Sequence, residues 1–242
     1  MTEGDEGMNE LAKYDELLNQ MTRDTFATAE AESFYNARLT IPRARIIAQQ
    51  FGLFVRGRRS AWAYLIARCP HMEIKKELLE HETEEMLFDP RCGSDHYTLW
   101  VRHGEAVGLT ADQVDNAQPL PSTRAAICGW SWLAFNLGWL EGLGGVAVLE
   151  RVNLDPIIPG GAHQTRAQAR WMRDLGLTEE QLPNFRLHRE ADTDHKGQTM
   201  KLLADYAKTE VQWEGILDAS RQSLEFWQVF LGGIAREMAS ID

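Results

Sequence analysis

Apolar residues recur along this chain at three- and four-residue intervals, the spacing that places them on one side of an α-helix. In residues 8–22, Leu11, Tyr14, Leu17, Leu18 and Met21 share a side and predict an amphipathic opening helix. A short helix over about 26–38 follows. Thr40-Ile41-Pro42 stops it and starts the next, since proline suits a first helical turn. The run 43–68 carries Ile46, Ile47, Phe51, Phe54, Trp62 and Leu65, and Gly57-Arg58-Arg59 predicts a kink or break within it. Residues 72–88 form a Glu-rich helix, and Asp89 to Asp95 a turn. His96 opens a helix to about 107. Residues 123–150 read as one long apolar helix. The segment 153–161, with two prolines and two glycines, is irregular; a helix at 163–175 follows it. Capping-box patterns begin at Thr110, Thr178 and Thr209. Pro183 restarts the chain into a long helix reaching about Ala207, and the last helix covers 210–239.

No run of alternating β-branched residues points to a sheet. The expectation is one all-α domain, 1–242, of about seven to nine helices. It divides into an N-terminal helical extension (1–40), a bundle (41–207) and a C-terminal helix (208–242).

Composition narrows the function classes. A 242-residue chain with 44% hydrophobic and 25% charged residues has the make-up of an ordinary globular domain. Its net charge of −11 argues against nucleic acid and against an anionic membrane surface. Cys69, Cys92 and Cys128 are scattered and odd in number. They suggest neither a zinc site nor a disulfide framework, and favour a reducing cytoplasm. The acidic start MTEGDEGMNE shows no signal peptide. The most apolar window, 125–140, is short for a membrane span and reads as a core helix. The last helix, with Phe226, Trp227, Val229, Phe230 and Leu231, carries apolar surface to spare, as a homodimer would require.

The candidate chemistry centres on His188-Arg-Glu-Ala-Asp192-Thr-Asp-His195. At about 100° per residue, positions i, i+4 and i+7 fall within roughly 60° of arc. His188, Asp192 and His195 therefore project from one helix face. Two imidazoles and a carboxylate suit a borderline divalent metal such as iron. Taken alone, the octet could equally be a polar face with two ordinary histidines.

Three other segments supply partners. Glu141, in Leu137-Gly-Trp-Leu-Glu-Gly-Leu-Gly-Gly145, sits within an apolar stretch, where a carboxylate is costly unless paired or metal-bound. The glycines around it leave space for a close ligand or a tight helix contact. Glu150 is the alternative. Glu85, seven residues after the buried-side Leu78, stands out from a Glu-rich run; Glu84 is nearly equivalent, and His81 with Glu85 could form an i, i+4 pair. His96 shares a face with Trp100 and His103. Glu85, His96, Glu141, His188, Asp192 and His195 together make three histidines and three carboxylates, the donor set of a non-haem diiron centre in a helical bundle. Without metal, three buried carboxylates would repel one another.

In this order, with His96-Tyr-Thr-Leu-Trp-Val, Leu140-Glu141-Gly142 and His188-x3-Asp192-x2-His195, the sequence resembles the haem-oxygenase-like diiron oxidases. The resemblance spans roughly 43–207. It implies a seven-helix-type bundle shared with haem oxygenase, thiaminase II and the cofactorless oxidase of PQQ synthesis. It further implies two Fe ions, O2 as cosubstrate, a small-molecule substrate and an external electron donor. Members oxidise amino acids, with N-oxygenation, fragmentation or nitrile or azetidine formation; one decarboxylates fatty acids to terminal alkenes. The expectation is a biosynthetic diiron oxidoreductase acting on an amino acid or a derivative. A medium-chain fatty acid is the alternative substrate. A metal-free enzyme of the thiaminase or PQQ-oxidase type, which would call on a cysteine or a cofactor pocket, is the alternative class. Trp100, Leu137 and Gly138 are the expected pocket walls. Arg56, Arg59 and Arg124 are available to a substrate carboxylate.

Overall fold

The computed structural model describes the backbone of residues 3–241 and the side chains of 11–188 and 199–241. Eleven α-helices lie among the described residues. They are α1 (Glu3–Phe26), α2 (Ala29–Asn36), α3 (Ile41–Arg68), α4 (Met72–Met86), α5 (His96–Ala106), α6 (Ala111–Asp115), α7 (Pro121–Asn136), α8 (Trp139–Ala147), α9 (His163–Leu175), α10 (Pro183–Tyr206) and α11 (Glu210–Ser240). No strand occurs among them; Asp89 and Ser94 form one isolated antiparallel bridge. All-α architecture is thus as the periodicity predicts.

Helix α11 runs through the bundle against α8, α7, α2 and α1, while α3 packs on α7 and α5. Its apolar residues are therefore spent inside: Trp227, Phe230 and Leu231 are buried, and Val229 remains exposed. Phe51 and Phe54 of α3 meet Trp130 of α7 and Trp227 and Phe230 of α11 in an aromatic core, with Phe51 and Phe230 centroids 4.9 Å apart and Phe54 and Trp130 5.2 Å apart. Such pairs add to their area burial roughly 0.5–1.5 kcal/mol each.

Two boundaries differ from expectation, each for a visible reason. Helix α3 passes unbroken through Gly57-Arg58-Arg59. A Cβ on Gly57 would stand 2.8 Å from Ile127 Cγ2, so glycine here lets α7 approach rather than ending the helix. The two arginines turn inward to buried acids described below. The predicted helix 123–150 is instead α7, α8 and a 3-10 segment, Val148–Asn153. Arg68 donates to the carbonyls of Ala134 (3.0 Å) and Leu137 (2.7 Å), satisfying the end of α7. The chain then restarts at Gly138, the N-cap of α8.

The glycines of α8 serve a helix contact. A Cβ on Gly145 would stand 3.2 Å from the Ala219 carbonyl oxygen, and one on Gly144 would stand 2.6 Å from Ile216 Cγ2. Small residues there bring α8 and α11 backbones together. The irregular stretch 153–161 folds back at Gly160 and Gly161, whose φ values of 81° and 95° lie in the left-handed region. The Asp155 carboxylate accepts from Ala162 N (2.8 Å) and Thr165 Oγ1 (2.7 Å), tying the loop to the start of α9.

Candidate metal centre

Three helices bring Glu85, His96 and His188 together: one ligand-capable atom of each lies within 4.8 Å of the others. Each side chain is placed by local structure. Glu85 lies in the last turn of α4 and is buried. His96 is the first residue of α5, after the N-cap Asp95, whose carboxylate accepts from Thr98 N. His188 stands one turn into α10. The start of α10 is fastened to α5 by Asn184: its N–H donates to His103 Nε2 (3.2 Å) and its Nδ2 to the His96 carbonyl (3.4 Å). His103 thereby supplies an acceptor that an N-terminal helical N–H otherwise lacks.

Both histidines have one nitrogen fixed. His96 Nε2 donates to Asp89 Oδ2 at 2.9 Å, and His188 Nδ1 donates to the Asn184 carbonyl at 3.0 Å. The second nitrogen of His188 keeps a lone pair for another partner. His96 Nδ1 is buried and lies 3.1 Å from Glu85 Oε1. Burial pushes the His96 ring down, but Glu85 and Asp89 outweigh it and hold it above the ordinary imidazole value, so without a metal the ring favours its cationic form between two carboxylates. The two rings meet edge to face with centroids 4.9 Å apart. An outer carboxylate or carbonyl orienting each imidazole is the arrangement found around metal-ligating histidines.

Charge at the cluster is balanced by buried arginines. Arg59 NH1 lies 2.9 Å from both Glu85 Oε2 and Glu82 Oε1. Burial pushes the Glu85 carboxyl up, but Arg59 and His96 outweigh it and hold the group well below the usual carboxylate range. Glu85 is ionised and ready to ligate. Burial pushes His188 down to about 4, helped by His96, so its ring is neutral. Asp89 is fully buried, and the hydrogen bonds from Arg91 and His96 overcome desolvation to bring it to about 2.

A pocket of about 60 Å³ opens beside the cluster. Glu85, His96 and His188 line it, as do Trp100, Phe51 and Trp227, the polar residues Arg58, Asn153, His163 and Gln164, and Glu150. Trp100 is therefore part of the pocket wall.

Other predicted residues lie elsewhere. Glu141 is not among the pocket's lining residues: it occupies the first turn of α8 and packs against Gly138 and Gly215. The premise that it sits in mid-helix fails because a new helix begins at Trp139, and a carboxylate at that position suits the positive end of the helix. The acid that reaches the pocket is Glu150, on the 3-10 segment, paired with Arg58 NH2 at 2.6 Å. Leu137 and Gly138 form the α7–α8 junction, away from the pocket lining. Glu84 faces Arg91 at 2.6 Å, and His81 pairs with Glu82 at 3.1 Å. Arg59 borders the pocket but is engaged by Glu82 and Glu85; Arg56 donates to the Asp115 carbonyl; Arg124 is exposed. The side chains of Asp192 and His195 lie outside the described residues.

Asp89, at the His96 ring, and His163, in the pocket lining, are positions that sequence reasoning passed over. Asp89 read as a turn residue, and it is one: its backbone N–H donates to Ser94 O at 2.9 Å while its carboxylate serves His96. An acid near a candidate ligand histidine was the available signal. His163 carried none: it opens a helix as a single histidine followed by the polar Gln164, Thr165 and Arg166.

The donor set suits iron. Two imidazole nitrogens and a carboxylate oxygen form a mixed N/O site for a borderline divalent ion, which would replace the His96 Nδ1 proton beside Glu85. The convergence of these three donors from three helices is the observation that calls for one. None of Cys69, Cys92 and Cys128 lines the pocket.

The fold recurs in solved structures. A domain of unknown function with a heme oxygenase-like fold from Shewanella denitrificans superposes with a TM-score of 0.75 at 16% identity, over 94% of this chain and 92% of that one. A CADD-like protein of unknown function from Nostoc punctiforme gives 0.74 at 18% identity, over 96% of each chain. The TenA homologue from P. horikoshii gives 0.69 at 12% identity, over 95% of this chain and 98% of that one. At these identities the likeness is one of fold. Among described residues no helix is long and apolar enough to cross a membrane. No curated protein matches the chain significantly. The family described as iron-containing redox enzyme matches residues 45–228, from early α3 to well into α11, and to that haem-oxygenase-like family this chain belongs.

Proposed function

We propose that the chain is an O2-dependent non-haem diiron oxidoreductase acting on an amino acid or a compact amino-acid derivative. The observation that carries the reading is the convergence of Glu85, His96 and His188 from three helices, with each histidine held by an outer acceptor and with buried His96 Nδ1 turned to Glu85. These three would hold one iron. A second would draw on Glu150 and on Asp192 and His195, which share the α10 face with His188 by spacing.

Bound iron would supply the activation of O2. The chain's own part is more specific. Ionised Glu85 offers anionic charge toward the metal. Asp89 and Asn184 fix which nitrogen of His96 and His188 is presented. The aromatic wall of Phe51, Trp100 and Trp227 limits water and holds the substrate near the cluster.

One observation weighs among the alternatives. The absence of cysteine from the lining tells against a thiol-dependent, metal-free enzyme.

The test is O2 uptake by Fe(II)-loaded protein with separate panels of amino acids and of medium-chain fatty acids. Uptake coupled to loss of an amino acid is expected. Alkene release from a fatty acid would replace the substrate class, and an absence of O2 uptake with both panels would overturn the reading.

A further inference from the structure

Across the pocket from the metal cluster stands a second built polar site, formed by the start of α9. His163 is 3% exposed and stacks on Phe51 with centroids 5.2 Å apart and planes 9° apart. Its Nδ1 lies 2.8 Å from the buried Tyr35 hydroxyl. With the Tyr35 proton given to Nδ1, His163 carries its own proton on Nε2, the other polar atom of a ring that lines the pocket.

Two further features belong to this site. The buried Gln164 lines the same pocket, and its Oε1 makes no hydrogen bond. Behind His163 lies buried Arg170, whose Cζ sits 4.6 Å from the centre of the Phe34 ring. The field of this cation favours an anion beside His163. A fixed N–H donor in a positive field, next to an unsatisfied acceptor, matches a carboxylate with a neighbouring amine.

We propose that His163 and Gln164 anchor the head of an α-amino acid, His163 Nε2–H donating to its carboxylate and Gln164 Oε1 accepting from its ammonium, with the substrate's side chain among Phe51, Trp100 and Trp227. This rests on the oxidase reading above and names the groups that select its substrate. Burial, aided by Arg170, holds His163 at about 3, so the ring remains a neutral donor through the physiological range. His163 and Gln164 are specificity residues, and Tyr35 is a positioning residue acting through His163.

The experiment measures binding of each of the twenty protein L-α-amino acids to the anaerobic protein, with and without Fe(II), by thermal shift and then calorimetry. It compares the native chain with Gln164→Leu, His163→Phe and Tyr35→Phe, and iron per chain is counted in each. The decarboxylated amine of the best binder is the matched probe. At least one amino acid is expected to bind, with Kd raised about tenfold or more in His163→Phe and Gln164→Leu. Tyr35→Phe should raise Kd less, because the ring persists while its tautomer is freed. The amine should bind weakly to the native chain and no more weakly to His163→Phe. Equal affinity in all forms, or no binding by any of the twenty, would overturn the assignment. Iron binding with O2 uptake, intact in that event, would leave the oxidase reading standing; loss of both would sink that reading separately.

Discussion

His96 Nε2 lies 2.9 Å from the Asp89 carboxylate, seven residues upstream, while the same ring turns Nδ1 toward Glu85 Oε1 at 3.1 Å. One imidazole thus links an outer acid to an inner one. Asp89 cannot move easily, because Arg91 Nε donates to it at 2.9 Å and Arg91 N at 2.8 Å. Asp89→Asn should lower Fe(II) affinity about 10–100-fold while leaving the helical circular dichroism unchanged. Competition against a chelator of known affinity measures this. An unchanged affinity would show that Asp89 serves the turn alone.

Glu150 and Glu141 separate cleanly. Glu150 lines the pocket and Glu141 does not. Iron per chain should fall in Glu150→Gln and hold in Glu141→Gln. Glu150→Gln should also destabilise the fold by about 3–5 kcal/mol, since it leaves the buried Arg58 guanidinium without its counter-charge. Chemical denaturation of both variants, beside metal analysis, gives the answer. Iron lost in Glu141→Gln alone would reverse the assignment.

Gly145→Ala should destabilise the protein by about 1–3 kcal/mol, because the new methyl would press on the Ala219 carbonyl and part α8 from α11. Iron content should not change. A fall in iron with stability intact would return these glycines to the metal site.

Stability should fall in acid over a defined window. Burial brings His103 and His163 to about 3, from an ordinary value of 6.5. The unfolded chain therefore binds more protons than the native one between these values. The contribution is complete above about pH 6.5 and is lost as pH falls toward 3, at about 1.4 kcal/mol per pH unit for each histidine. Urea midpoints of the metal-free protein should drop between about pH 7 and pH 5. His163→Phe, which cannot protonate, should show a shallower drop. A midpoint independent of pH across that interval would show that these rings find compensation on protonation.

Much of the fold was legible in the sequence because helices announce themselves locally. The 3.6-residue periodicity, the capping threonines at 110, 178 and 209, and the prolines opening α3, α7 and α10 located most elements. What failed depended on partners distant in the chain. Gly57-Arg58-Arg59 looks like a breaker until Ile127 is seen against the glycine and Glu82, Glu85 and Glu150 against the arginines. The end of α7 is fixed by Arg68, more than sixty residues away. For the site, helical spacing drew attention to His188 and Trp100 and burial logic to Glu85, and all three line one pocket. The same logic read Glu141 as mid-helix, where the chain instead starts a new helix and a carboxylate costs little. Asp89 was passed over because it acts through His96, and His163 because its partner Tyr35 lies 128 residues away; pairs of that kind have no period along the chain.

The most direct test of the central claim is a count of iron. Protein prepared without oxygen, loaded with Fe(II) and freed of excess should retain about two irons per chain, and should consume O2 on exposure. Glu85→Gln and His188→Ala, prepared alongside, should retain fewer irons and lose O2 uptake, with the helical fold kept. No retained iron, or equal iron in the native protein and both variants, would contradict the metal centre placed between α4, α5 and α10.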